Sequence, residues 1–284
     1  MSRQGYRGLP LRWVVLAAMC ALPCIGAHAS SPWLPEVRPK WNSGEGDAGG
    51  FAALTIRKKY ELDRVGDNTW LSLKAELDAT VALADAKRNR EPMLGRFEGS
   101  HAWFAGPLSI ELLSHVRYEA NQAFDNQEAG LGAGLVTLGS FEPDSPGAAL
   151  AYYLLPDATL LAESVWTLAS ADREEVGLSG KDRFVQASLE LKWANYLDLI
   201  HLPQVRYEVT WARVYEFGTA QAWRDAGNGN YSKFRVELMY DFSERIAWCD
   251  GIFVAYRKGP TATDRRDEAR FDVGIRFFGD HGKK

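Results

Sequence analysis

The sequence predicts an all-β fold, an antiparallel transmembrane β-barrel of about 12 strands, within a range of roughly 10 to 14. Three observations carry the prediction. Long stretches alternate apolar and polar side chains with period two, the signature of a strand with two unlike faces. The alternating runs are commonly about ten residues or more, which suits a tilted crossing of a hydrocarbon layer better than the usual strand of about five or six. The apolar faces end in aromatics, among them Tyr60, Tyr118, Trp193, Trp211, Tyr240, Phe242 and Tyr256, as interfacial girdles do.

At the start of the chain Arg3, Arg7 and Arg12 occur without an acid, and Trp13 to Ile25 is apolar and ends in Gly26-Ala27-His28-Ala29. This is the pattern of a secretory signal peptide cleaved after Ala29. The apolar run falls short of the roughly 20 residues a membrane helix needs, and Pro23 interrupts it. Cys20 follows Met19 and Cys24 follows Pro23, so neither has the small preceding residue that lipid attachment requires. With both removed, Cys249 is solitary and the fold must hold without an intramolecular disulfide. Cleavage takes the net charge from -4 to -7, which argues against a nucleic-acid partner.

Three segments follow from this reading: a signal peptide over 1–29, an irregular arm over 30–50, and a barrel domain over 51–284. The arm, rich in Pro and Gly and without period, is expected to be disordered, with Trp33 and Trp41 as anchors.

The first strand begins at Phe51, with Leu54, Ile56, Tyr60 and Leu62 on one face and Thr55, Arg57, Lys59 and Glu61 on the other. After Gly66-Asp67-Asn68, a second strand sets Leu71, Leu73, Ala75, Leu77, Ala79 and Val81 against Ser72, Lys74, Glu76, Asp78 and Thr80. The same pattern recurs over Val185–Trp193, Val205–Trp211 and Phe234–Phe242. Less regular strands are expected over Arg96–Ala105, Leu108–Glu119, Ala129–Ser140, Ala148–Leu155, Thr159–Ala169 and Ile246–Arg257. Long loops are expected at Ala171–Asp182, Glu216–Asn230 and Gly259–Glu268. Long connections in the N-terminal half fall on the opposite parity, which points to a miscounted strand between Arg96 and Leu155.

Alternation alone does not separate a membrane barrel from a soluble sandwich, whose apolar faces meet in a central core. Strand length, aromatic ends and the export signal favour the barrel. At the C-terminus Ala269, Phe271, Val273, Ile275 and Phe277 alternate with Arg270, Asp272, Gly274, Arg276 and Phe278. This stretch resembles the final strand of Gram-negative outer-membrane barrels, which typically ends in an aromatic residue and is read by the insertion machinery. Here Gly279–Lys284 follows the aromatic, a departure from that pattern. The resemblance implies a bacterial outer-membrane location, with membrane lipid and the barrel-insertion machinery as partners.

The polar faces supply the candidate lumen-lining residues. The N-terminal strands contribute Arg57, Lys59, Lys74, Glu76, Asp78 and Arg117. The C-terminal strands contribute Glu190, Lys192, Arg206, Glu208, Lys233, Arg235, Glu237, Asp272 and Arg276. Two compatible readings of these near-balanced charges stand: cross-strand pairs that fill a small lumen, and a charged constriction that selects solutes. In the second, Arg206, Lys233, Arg235 and Arg276 form a basic strip facing Glu76 and Asp78.

The functional expectation is a small channel for polar or charged solutes, with a closed barrel acting as a surface or assembly platform through its loops as the alternative. Lipid hydrolysis is a third class. It finds little support, because Ser114 and His115 are strand neighbours that point to opposite faces, and the phospholipase pattern of a His followed closely by Ser-Asn-Gly is absent. No cofactor or metal is expected: the histidines beyond the signal region, His101, His115, His201 and His281, form no close cluster with Cys249. The run Gly130-Leu131-Gly132-Ala133-Gly134 lacks P-loop spacing and reads as glycine permitting curvature or tight packing in a barrel.

Overall fold

The computed structural model of the chain describes residues 34–44, 49–66, 69–82, 93–105, 108–139, 153–246, 249–260, 267 and 269–277. The expected signal peptide and the residues after Phe277 lie outside these. Within the compact unit Trp33–Lys284 the chain runs as β1 (Leu34–Gly44), β2 (Gly49–Gly66), β3 (Thr69–Ala82), β4 (Met93–Ala105), β5 (Leu108–Ala120) and β6 (Asn126–Gly139). It continues as β7 (Asp157–Ser170), β8 (Asp182–Leu197), β9 (Leu202–Phe217), β10 (Asn230–Ile246), β11 (Cys249–Lys258) and β12 (Ala269–Phe277). Two single-turn helices, α1 (Ala171–Glu175) and α2 (Gln221–Asp225), interrupt the loops after β7 and β9.

Each strand is antiparallel to its sequence neighbours, and β1 pairs with β12 to close the ring. The seam ladder runs from Gly44↔Arg270 to Lys40↔Gly274 and resumes at Val37↔Phe277. The gap falls at Arg38 and Pro39; a proline has no N–H to give to a ladder.

Two expectations need correction. Leu34–Gly44, expected to be part of an irregular arm, is a strand paired on both sides. Its prolines hide the pattern, but Pro39 and Trp41 are exposed while Lys40 between them is buried, so the alternation is there. The strand expected over Ala148–Leu155 is absent from its described part, since 153–156 is not extended and β7 begins at Asp157. That is the miscount between Arg96 and Leu155 that the loop parity signals. With β6 and β7 as consecutive antiparallel neighbours, the start of β1 and the end of β12 (Leu34, Phe277) share a rim with the passages from β2 to β3, β4 to β5, β6 to β7, β8 to β9 and β10 to β11. At the other rim, called the loop rim below, β1 passes to β2, β3 to β4, β5 to β6, β7 to β8, β9 to β10 and β11 to β12.

The wall is inverted relative to a soluble protein. Phe97, Leu112, Val116, Leu131, Leu160, Val185, Leu238, Ile252, Val254, Phe271 and Val273 are exposed on the outside. Among the described residues, buried polar and charged side chains outnumber buried apolar ones. A water-facing exterior of this kind would leave an apolar patch far beyond the few hundred Å² that soluble monomers expose.

Candidate functional site

The interior is organised around glycines that let side chains on one strand reach across the next. On β6 the inward Gly132 lies opposite His115 of β5 and Glu163 of β7, and Gly130 lies opposite Arg117 and Val165. A Cβ on Gly132 would stand 2.6 Å from Glu163 Cγ, and one on Gly130 would stand 3.0 Å from Arg117 Nε. In the space they leave, His115 Nε2 lies 2.6 Å from Glu163 Oε1, to which Arg117 Nε donates at 2.8 Å. Gln186 of β8 donates to the other carboxylate oxygen at 3.2 Å. The His115 and Glu163 side chains are 1% and 2% exposed, so this cluster fills the lumen beside β5–β8.

The same device recurs near the seam. Gly251 of β11 sits between Arg276 of β12 and Asp241 of β10, whose ion pair spans it at 2.5 Å. Tyr196 Oη also donates to Asp241, at 3.1 Å. Asp272 is flanked by Lys40 at 3.3 Å and Arg257 at 3.0 Å. Arg38 of β1 reaches Glu237 of β10 at 2.8 Å, with its guanidinium 5.3 Å from the centre of the Phe253 ring. Phe253 in turn occupies the space over Gly274, where a Cβ would meet its ring at 2.8 Å.

A cavity of about 310 Å³ lies near the loop rim, lined from inside by Lys192, Lys233, Arg235, Arg257 and Arg270 against Glu190 and Glu208. Lys192 pairs with Glu208 at 3.1 Å, and Arg235 pairs with Glu237 on its own strand. Lys233 sits 5.4 Å over the Tyr231 ring. Among the described residues no carboxylate pairs with Lys233.

The loop after β9 packs against the loop after β7 through Trp223 and Arg173. α2 carries Trp223, which is 2% exposed and donates Nε1–H to Glu216 at 3.0 Å. Arg173 of α1 packs on the Trp223 ring at 5.0 Å and pairs with Asp182 at 2.5 Å. α1 is held by Ser170, whose hydroxyl accepts from Arg173 N–H as an N-cap.

The sequence-predicted residues are thus spread over several groups. Arg117 belongs to the His115 cluster, and Glu190, Lys192, Glu208, Lys233 and Arg235 line the cavity. Glu237, Asp272 and Arg276 belong to the pairs near the seam. Lys74 pairs with Glu76 at 3.1 Å, and Asp78 follows on the same face of β3. Arg57 and Lys59 stand opposite Glu76 and Lys74 in the β2–β3 register, but their side chains lie outside the described ones.

Three members of the expected basic strip have nearer acidic neighbours. Arg276 is taken by Asp241, Arg235 by Glu237, and Arg206 lies 3.8 Å from Glu208. A charge removed from bulk water costs several kcal/mol unless paired at short range, so neighbouring carboxylates win over a distant strip. Sequence reasoning missed Glu163, Gln186, Arg38, Lys40, Arg173 and Trp223. The two-residue spacing shared by His115/Arg117 and Gly130/Gly132 was the available signal for the first cluster.

A closed antiparallel wall, apolar outside and filled with charge inside, defines the class: a β-barrel of the membrane type. No family model matches the sequence, and the search of curated proteins gave no match. Among solved structures the chain is similar to the outer-membrane phospholipase A of Escherichia coli, with 10% identity, 94% of this chain and 98% of that one covered, and a TM-score of 0.47. It is also similar to the NanC porin, with 10% identity, coverage of 86% and 98%, and a TM-score of 0.43. OpdK of Pseudomonas aeruginosa follows with 13% identity, coverage of 83% and 60%, and a TM-score of 0.40. Likeness at this level says nothing about activity.

Proposed function

We propose that the chain is a bacterial outer-membrane β-barrel that passes small polar solutes, with a preference for anions set by the lumenal cavity. The observation that carries the reading is the charge of that cavity: inward Lys192, Lys233, Arg235, Arg257 and Arg270 face Glu190 and Glu208, and with Glu237 and Asp272, the partners of Arg235 and Arg257, counted as well, an excess of positive charge remains. In a water-filled space with low-dielectric walls, such an excess raises the local concentration of anions. Export by a signal peptide cleaved after Ala29 and insertion through β12 complete the reading. N-terminal sequencing of protein from the membrane fraction tests the first, with Ser30 expected as the first residue.

A second reading, a closed barrel that works as a platform through its loops, is favoured by the buried Trp223 and the filled lumen beside β5–β8. Planar-bilayer recording of the purified chain separates the two. Steady single-channel current supports the channel, and a silent membrane containing inserted protein supports the platform.

A further inference from the structure

Among the described residues, arginines inside the barrel meet carboxylates and those on the outside do not. The outward-facing Arg and Lys residues whose side chains are described are Arg183, Arg213 and Lys258, and all stand near the loop rim. Among the described residues none of them forms an ion pair with a carboxylate. Arg183 lies 5.3 Å over the Trp166 ring, and Arg213 lies 5.2 Å over Tyr215 and donates to Ser232 Oγ at 3.0 Å.

Arg213, Ser232 and Lys258 line a crevice of about 500 Å³ together with the outward aromatics Trp211 and Phe234. Lys258 stands at the crest where this crevice meets the lumenal cavity. Asp267, Lys233, Tyr231 and Asn230 also line it. An outward cation is costly in the hydrocarbon and tolerated near the interface, where anionic headgroups are at hand to pair with it. In the crevice Arg213, Lys258 and Lys233 outnumber Asp267, its one carboxylate among the described lining residues, and its apolar side is aromatic, as at a membrane–water boundary.

We infer that this crevice binds the phosphate of a membrane lipid headgroup, with Arg213 and Lys258 as the charge partners, Ser232 as a hydroxyl donor, and Trp211 and Phe234 against the acyl end. The guanidinium fork suits phosphate oxygens, and Ser232 fixes its orientation. The inference rests on the membrane reading above.

The test uses the full chain in detergent, titrated with short-chain phosphatidylglycerol, with phosphatidylcholine of the same chains, or with inorganic phosphate, and bound lipid is counted by native mass spectrometry. Phosphatidylglycerol is expected to bind at least about tenfold more tightly than phosphatidylcholine, and the Arg213→Gln/Lys258→Gln variant is expected to lose that preference. Arg213→Lys, which keeps the charge, is expected to retain part of it. Insertion into phosphatidylcholine vesicles is measured separately for both proteins. Failure of the wild type to insert would refute the membrane reading itself. Insertion of both with equal lipid preference would overturn the site alone, and binding of inorganic phosphate as tight as that of the lipid would overturn the lipid assignment.

Discussion

His115 and Glu163 belong to strands that are not neighbours, yet Nε2 and Oε1 lie 2.6 Å apart because Gly132 of the intervening β6 has no side chain to separate them. The relationship makes the glycine run of β6 part of the interior ion network.

Gly132→Ala is therefore expected to destabilise the barrel by about 1 to 3 kcal/mol through overpacking, since the added Cβ would stand 2.6 Å from Glu163 Cγ and 2.9 Å from the carbonyl of Ala162. The check is equilibrium urea unfolding in vesicles. The outward Ala133→Gly change serves as a control for backbone freedom alone.

Glu163→Ala leaves Arg117 without its hydrogen-bonding carboxylate and His115 without a partner. The loss of one member of a buried charged group costs about 3 to 5 kcal/mol. Glu119, 3.0 Å from Arg117, offsets part of this, so the lower end of that range is expected. Unfolding midpoints of Glu163→Ala and Glu119→Ala compare the two directly, with the Glu163 change expected to be the more severe.

Much of the wall was legible in the sequence because lipid and lumen impose opposite demands on successive residues. In β10, Phe234, Val236, Leu238 and Tyr240 alternate with Lys233, Arg235 and Glu237, and the structure turns the two sets to opposite faces. β7 was harder, since its inward row places Leu161 and Val165 among Thr159, Glu163 and Thr167, and the apolar contrast between faces is lost. β1 was hidden by Pro35 and Pro39. The site was less legible than the wall. Pairs such as Arg38–Glu237 and Arg276–Asp241 join residues that no local pattern relates, and only strand order and the glycines between them bring them together.

The lipid-facing assignment is tested at Leu238, which is 49% exposed at the middle of β10. Leu238→Arg is expected to cost about 2 to 4 kcal/mol at the bilayer midplane. The inward Ser188→Arg change should cost much less. Equal costs in a vesicle-based folding titration would place Leu238 away from lipid.

Trp223 is buried on a loop beyond the strand ends and bonded to the inward Glu216; on the channel reading, Trp223→Ala is expected to leave the strands intact and raise single-channel conductance. Unchanged conductance with an unchanged circular dichroism spectrum would show that the loop does not limit passage.

The proposed anion preference rests on Lys233 and Arg235, and of the two Lys233 has no carboxylate partner among the described residues. Removing Arg235 still leaves Glu237 paired with Arg38. The most direct measurement is the reversal potential of the purified channel across a potassium chloride gradient, for the wild type and the Lys233→Ala/Arg235→Ala variant. The wild type is expected to reverse toward the chloride potential and the variant to shift toward the potassium potential. A wild type that reverses at the potassium potential, or a variant that does not shift, would contradict the account.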